Sequence, residues 1–143
     1  EYLRLQAAKI HEHAVKSDII LCTAQIPGKR APVLLLKNTV DQMQTGSVII
    51  DIAAATGGNC ELTRNGEVID HHGVTIVGKS DYPSDMPLDA SRMYGRNLVN
   101  FLKLILSKEG KLDISFSDDI VAGTCLTFQG EVRNDRVRSL HNL

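Results

Sequence analysis

The sequence predicts an α/β fold, in which a parallel sheet is followed by a long helix and a short antiparallel β segment. Three apolar runs, at 19–22, 48–50 and 74–77, have the continuous hydrophobicity of parallel strands that are covered on both faces. A helical pattern separates the first two runs, so strand, helix and strand form a parallel crossover unit. The last stretch, 111–134, alternates apolar and polar residues, which is typical of antiparallel strands.

The first half of the chain can be assigned element by element. An initial helix is predicted because apolar residues recur at three- or four-residue spacing, at Leu3, Ala7, Ile10 and Ala14. The first strand is predicted to be central in the sheet and to end before Pro27 and Gly28. A short amphipathic helix is expected around 40–43, closed by Gly46 before the second strand.

Turn signals organise the second half. The pairs Asn65-Gly66 and His72-Gly73 predict a hairpin that leads into the third parallel strand. After a loop with two prolines, Asp89 can cap a long helix that runs to about Ser107. Apolar side chains cover most of this helix, so we expect it to be buried between two bodies.

Composition and charge limit the class of protein. The 143 residues are 43% hydrophobic and carry a formal net charge of −1, which suits one globular core and argues against a nucleic-acid or membrane-surface partner. No apolar run approaches the roughly 18 residues of a membrane span, and the first residues are too polar for a signal peptide, so we expect a soluble chain. The chain lacks an initiating Met and opens within a helical pattern, which we interpret as a piece of a longer protein.

The loops after the three parallel strands are the candidate site. They read TAQIPG, AAATGGN and KSDYPS, and parallel strands would bring them to the one sheet edge where ligands bind in such folds. The alternative is that Pro27 and Gly28 merely form a turn. Neither GxGxxG nor GxxxxGK[ST] occurs in the chain, so a bound nucleotide would have its phosphates held elsewhere.

Other residues gave weaker signals. The five histidines do not predict a metal site, because His11 and His13 cannot share a helix face and the 71–72 pair lies in a turn. The three cysteines show no CxxC spacing and are expected to be buried thiols. No catalytic serine or cysteine signature is present. Of the acidic candidates, Asp81 lies in the third loop, and Asp51 is expected to hold backbone amides rather than to act on a substrate.

Four blocks in the chain nevertheless resemble a known family. TAQIPGKRAPVLL, MQTGSVIIDIAAATGGNCELT, GVTIVGKSDYPSDMPLDASRMYGRNLVNFLKLIL and VAGTCLTFQGE are similar, in this order, to the NAD(H)-binding domain of the proton-translocating NAD(P) transhydrogenase alpha subunit. The resemblance implies two Rossmann-like domains. Residues 1–88 would be the later half of the nucleotide-binding domain, 89–109 an interdomain helix, and 110–143 part of the second Rossmann-like domain.

The resemblance also implies a set of cofactor contacts and partners. NAD(H) would bind at Thr23, Ala24, Gln25, Ile26, Pro27, Asp81 and Tyr82. NADP(H) would lie on a partner component, so that hydride passes directly between two nicotinamides with no catalytic residue or metal in this chain. Further partners would be a second copy in a homodimer and a membrane component, with this domain facing the cytoplasm or an organelle matrix. Family members often have Leu where Gln25 stands, so this side chain could hydrogen-bond the adenine.

Two other functions remain open. Alanine dehydrogenases resemble the same blocks, but they carry a catalytic aspartate at the position of Ala55, and alanine cannot take a proton. The other alternative is a non-catalytic nucleotide-binding fragment. In the transhydrogenase family GxGxxG and an Arg-Gln-Asp loop precede the position of Glu1, so the upstream sequence would discriminate among the three.

Overall fold

The computed structural model describes residues 1–141 as two compact units, of which the first is Glu1–Asp85 and the second begins at Met86. The first unit carries a four-stranded sheet and the second a long helix with a two-stranded sheet. No helix within residues 1–141 combines the length and apolar character needed to cross a membrane.

The first unit consists of a sheet and helices, and its last helix lies where the sequence predicted a loop with two prolines. Its helices are α1 (Tyr2–Ala14), α2 (Lys37–Val40) and α3 (Tyr82–Asp85). Its strands are β1 (Ile19–Cys22), β2 (Val48–Asp51), β3 (Val68–His71) and β4 (Val74–Val77), with a short 3-10 helix (Ala54–Thr56) after β2. Helix α2 begins and ends earlier than expected, and the N–H of Lys37, its first residue, donates to the Glu61 carboxylate at 2.6 Å.

The sheet has the order β1-β2-β4-β3. Strands β1, β2 and β4 are parallel, and β3 is antiparallel to β4, so the three parallel strands and the hairpin are confirmed. The hairpin turns at His72 (φ 53°) and Gly73 (φ 82°), which matches the positive φ values of a type I′ turn.

The prediction that β1 is a central strand covered on both faces is wrong for this chain. Within the described residues β1 pairs with β2 alone and forms the edge of the sheet. Ile20 and Cys22 face the core, whereas Ile19 and Leu21 on the other face are 66% and 64% exposed. An apolar run indicates that a strand suits burial, but it does not specify which segment provides the cover.

The core lies between one sheet face and the helices α1 and α2. Ile49 of β2 and Ile76 of β4 are directly paired and fully buried, and Val40 of α2 packs into the same cluster. Burying each such side chain contributes about 1.5–3 kcal/mol to stability. This packed face fixes the parallel strands, and therefore the positions at which their loops emerge.

The second unit differs from the sequence prediction in three places. It contains α4 (Pro87–Ile105), α5 (Asp119–Thr124), β5 (Thr127–Phe128), β6 (Glu131–Val132) and α6 (Asp135–His141). Asp89 does not cap α4, which starts two residues earlier because Pro87 suits the first helical turn. Helix α4 has no buried residue, so its predicted burial is not found in this chain.

The third difference is α5, a helix where alternation predicted a strand. The Asp118 carboxylate accepts the N–H groups of Ile120 and Val121. This N-cap favours a helix over the strand that the apolar–polar pattern of 111–134 predicted. Antiparallel pairing is confirmed for the short strands β5 and β6 and for one isolated bridge, between Leu106 and Leu112.

Candidate functional site

The loops after β1, β2 and β4 emerge at one edge of the sheet, as predicted. Because these strands are parallel and in register, from Cys22 beside Asp51 to Ile50 beside Val77, their carboxyl ends lie together. This carboxyl edge is the place where open parallel sheets bind ligands. The first two loops are also joined by hydrogen bonds, from Ala31 N–H to Thr56 O (2.8 Å) and from Leu34 N–H to Asn59 O (2.7 Å).

Asp51, the last residue of β2, organises the second loop. One carboxylate oxygen accepts the Ala53 N–H at 3.1 Å, and the other accepts the N–H groups of Asn59 and Cys60 and the Thr63 hydroxyl at 2.7, 3.0 and 2.7 Å. The side chain is fully buried. This confirms that Asp51 holds backbone amides, and its two oxygens have little capacity left for a substrate.

Asn59 links the second loop to the first. Its Oδ1 accepts the Ala24 N–H at 2.9 Å, and its Nδ2 donates to the carbonyls of Ala24 and Pro32 at 2.9 and 2.8 Å. The residue is fully buried. Sequence reasoning quoted the Gly-Gly-Asn motif but gave Asn59 no role, although a polar residue directly after two glycines at the end of a buried strand is a usable signal.

The two glycines before Asn59 allow the loops to approach closely. Gly57 and Gly58 have φ values of 107° and 76°, which favour glycine. A Cβ at Gly57 would lie 2.8 Å from Arg30 Cγ, and one at Gly58 would lie 2.8 Å from Asp51 Oδ2. The motif is therefore required both by backbone conformation and by contact with its neighbours.

The TAQIPG loop, 23–28, presents most of its side chains at the carboxyl edge. Gln25 donates to the Ile52 carbonyl at 3.3 Å, and Ile26 is 46% exposed. The Lys29 N–H donates to the Ile26 carbonyl at 3.0 Å, and Gly28 has a φ of 68°. Pro27 and Gly28 thus do form a turn, and this turn stands at the edge where a ligand would bind. Thr23, Gln25 and Pro27 are exposed, and Ala24 is half-buried.

The third loop, which contains Asp81 and Tyr82, is organised by Lys79. The Lys79 ammonium forms ion pairs with Asp85 and, at 3.8 Å, with Asp81, and it lies 5.8 Å from the centre of the Tyr82 ring. The hydrogen bond to Asp85 raises the pKa of Lys79. Ser80 donates to the Asn65 side chain at 2.9 Å, which ties this loop to the segment before β3.

The histidines at 71 and 72 lie away from the carboxyl edge, and Cys22 is a buried thiol. His71 Nε2 lies 2.6 Å from Asp41 Oδ1, and a ligand atom from each of Asp41, His71 and His72 falls within 4.8 Å of the others. This group lies at the start of β4, the sheet end opposite to the candidate site, and Lys37 already pairs with Asp41. Burial raises the pKa of Cys22 to about 12, so this thiol is protonated at neutral pH.

Comparison with known proteins identifies the family. The model of the alanine dehydrogenase/PNT C-terminal domain matches residues 1–135. The chain belongs to this family. Its curated relatives include the NAD(P) transhydrogenase subunit alpha of Haemophilus influenzae, 48% identical over 84% of the chain and 24% of that protein. An NAD(P) transhydrogenase subunit alpha of Rhodospirillum rubrum is 44% identical over 92% of the chain and 35% of that protein.

Solved structures of alanine dehydrogenase/PNT proteins share the fold. A transhydrogenase from Sinorhizobium meliloti superposes with a TM-score of 0.72 at 39% identity, covering 92% of this chain and 37% of that one. An L-alanine dehydrogenase gives a TM-score of 0.71 at 24% identity, which supports the fold alone. The resemblance and the Rossmann-like fold class are therefore confirmed. The chain spans about a quarter to a third of the length of the curated relatives it matches.

Proposed function

We propose that this chain belongs to the NAD(H)-binding component of a proton-translocating transhydrogenase, which passes hydride between NADH and NADP⁺ held on a separate component. The observation that carries the proposal is the joined carboxyl edge, where Asn59 ties the TAQIPG loop to the loop after β2. The relatives at 44–48% identity, which are named as transhydrogenase alpha subunits, support the choice of reaction.

The residues at the carboxyl edge are better suited to positioning a nucleotide than to acid–base catalysis. The carboxylate of Asp51 is buried and engaged with four donors, and the Cys22 thiol is protonated. The exposed side chains of Ile26 and Gln25 offer an apolar surface and a carboxamide, which fit the face and the polar edge of a heteroaromatic ring. When bound, NADH supplies the hydride, and the protein contributes position and electrostatics.

The wider assignments belong to the same proposal. Residues 1–88 serve as the later half of the NAD(H)-binding domain, 89–109 as the interdomain helix, and 110–143 as part of the second Rossmann-like domain. Asp81 and Tyr82 form the rim that approaches the NADP(H)-binding component. A second copy and a membrane component complete the enzyme, with this domain on the cytoplasmic or matrix side.

An alanine dehydrogenase is the second candidate, because Alanine dehydrogenase 1 of Staphylococcus aureus is 29% identical over 92% of the chain. Ala55 argues against it. This residue lies exposed in the 3-10 helix at the carboxyl edge, where the resemblance requires a carboxylate, and its methyl group can neither take a proton nor bind an imine.

A hydride-transfer assay separates the candidates. The intact enzyme that contains this chain, mixed with its NADP(H)-binding component, is expected to reduce an NADP analogue with NADH. Ala24→Glu should weaken NADH binding, measured by nucleotide fluorescence, because a charged side chain would enter the joined edge. Tyr82→Ala should slow hydride transfer more than it weakens binding. Turnover of alanine or pyruvate without a partner component would overturn the assignment.

A further inference from the structure

We propose that Asn59 is a positioning residue for the nucleotide, which acts by setting the backbone of the TAQIPG loop against one of its two rings. This inference rests on the proposed function, because it names a residue that affects NADH through another segment of the chain. It concerns binding, and it assigns Asn59 no contact with the reacting atoms.

The carboxamide of Asn59 forms all three of its hydrogen bonds with the main chain of the segment that follows β1. It accepts the Ala24 N–H and donates to the carbonyls of Ala24 and Pro32, all within 2.8–2.9 Å. Ala24 is thus held through both of its main-chain polar groups, and Pro32 is held on the far side of the loop. The segment between these two residues carries Gln25, Ile26 and the turn at Gly28. Among side chains, only Asn and Gln carry a planar carboxamide with an acceptor and two donors, and Asn has the shorter stem.

Asn59 is itself fixed in position from β2. Its N–H donates to Asp51 Oδ2 at 2.7 Å, and its carbonyl accepts the N–H groups of Leu34 and Leu35 at 2.7 and 2.9 Å. The side chain is fully buried, so turning away from the loop would leave its polar atoms without hydrogen-bond partners or water. The position of the strand end at Asp51 is therefore transmitted through Asn59 to the loop after β1.

The loop presents chemistry that suits a ring better than a phosphate. Ile26 is 46% exposed, and the side chain of the preceding residue, Gln25, places its amide nitrogen 3.3 Å from the Ile52 carbonyl. A main-chain N–H at the edge, that of Ala24, is already used by Asn59, so it is not available to an anion. An apolar surface next to a carboxamide recognises a planar heteroaromatic base by packing and by hydrogen bonding.

The test compares Asn59→Ser with a matched control in the intact enzyme. Serine is too short to reach the carbonyls of Ala24 and Pro32, so the loop should lose its fixed position. Thr39→Val is the control, because Thr39 is also buried and its hydroxyl forms one hydrogen bond, to His11 Nδ1 at 2.9 Å, in α2 beyond the other end of β2. Asn59→Asp serves as a second variant, since it keeps the shape and the acceptor but places an oxygen against two carbonyls.

The expected result is a split between KM and kcat. In Asn59→Ser the KM for NADH should rise about tenfold, which corresponds to about 1.4 kcal/mol of binding, while kcat per binding site stays within about twofold. Thr39→Val should leave KM unchanged. AMP and NMN each carry one of the two rings of NADH. In Asn59→Ser, the affinity for only one of these competitors should fall. Counting binding sites by saturation keeps partial unfolding from being taken for weak binding.

The outcomes separate the two proposals. If the unmodified enzyme neither binds NADH nor transfers hydride, both the proposed function and the positioning role are wrong. If the unmodified enzyme is active and Asn59→Ser leaves KM unchanged, or weakens AMP and NMN equally, the positioning role alone is overturned. If both Asn59 variants lose binding sites with no change of KM, Asn59 serves stability, and the positioning role is again wrong.

Discussion

At the residue scale, the carboxyl edge depends on a buried carboxylate whose partners are all donors. Asp51 accepts three main-chain N–H groups and the Thr63 hydroxyl, and it is fully buried. A charged group at this depth is costly unless hydrogen bonds compensate for lost hydration. Four donors supply that compensation, which explains how a strand made of apolar residues can end in an aspartate.

Replacing Asp51 tests this account. In Asp51→Asn an amide group would face N–H donors that need acceptors, so we expect the free energy of unfolding to fall by about 2–4 kcal/mol. Urea unfolding followed by circular dichroism measures the loss. Asp70→Asn is the control, because Asp70 is exposed and its side chain accepts the Gly73 N–H at 3.1 Å. An equal fall in the free energy of unfolding in both variants would show that the buried hydrogen bonds of Asp51 do not stabilise the fold more than an exposed one does.

At the element scale, caps and turns determine the conformation of short segments more than hydrophobic periodicity does. Segment 119–124 is helical although it lies within the stretch predicted to form strands, because Asp118 accepts the N–H groups of Ile120 and Val121 at 2.9 and 3.1 Å. A six-residue helix has few internal hydrogen bonds, so its first turn contributes much of its stability. The cap and the helix should therefore be lost together.

Removing the cap is expected to loosen α5. Asp118→Ala should cost the helix about 1 kcal/mol, so amide hydrogen exchange at Ala122 should accelerate about fivefold. Ala122 is informative because its N–H donates to the Asp118 carbonyl at 2.9 Å, a bond that closes the first turn. Asp113→Ala removes the same charge from an exposed position outside the helix. Similar acceleration in this control would mean that net charge, not the cap, stabilises α5.

At the scale of the whole molecule, large apolar surfaces remain exposed in this chain. On α4 the exposed fractions are 67% for Met93, 66% for Tyr94 and 48% for Leu98. On the sheet face opposite to the core, Ile19 and Val68 are 66% and 65% exposed. Several exposed apolar side chains on one helix or one sheet face are typical of interaction surfaces. We propose that the remainder of the nucleotide-binding domain and a second copy of the protein cover them.

Sedimentation of the complete protein tests this proposal, with a dimer as the expected species. Leu98→Glu should raise the monomer fraction, because a charge would replace an apolar side chain in the covered surface. Lys108→Glu also changes the charge, but it lies outside α4 and should leave the dimer unchanged. A monomer at micromolar concentration in the unmodified protein would contradict the proposed symmetry.

The strands of the parallel sheet, the hairpin and the family could be predicted from local features of the sequence. Continuous apolar runs at 19–22, 48–50 and 74–77 indicate strands because local hydrophobicity is enough to recognise a parallel strand, although not its burial in this chain. The Gly-bearing turns could be read locally for the same reason, since a positive φ limits the residue type. The role of Asp51 was also predictable, because a carboxylate at the end of such a run needs backbone donors.

The positions of these elements and the contacts between distant side chains depend instead on how the whole chain packs. The edge position of β1 depends on which strands pair with it, and no local pattern records that choice. The link from Asn59 to Ala24 joins residues 35 positions apart, so no window of sequence contains it. Helix α5 forms because the Asp118 side chain caps its first turn, in a stretch that was predicted to form strands. Pairing, long-range hydrogen bonds and competition between local preferences are properties of the packed chain, whereas hydrophobicity and turn chemistry belong to its residues.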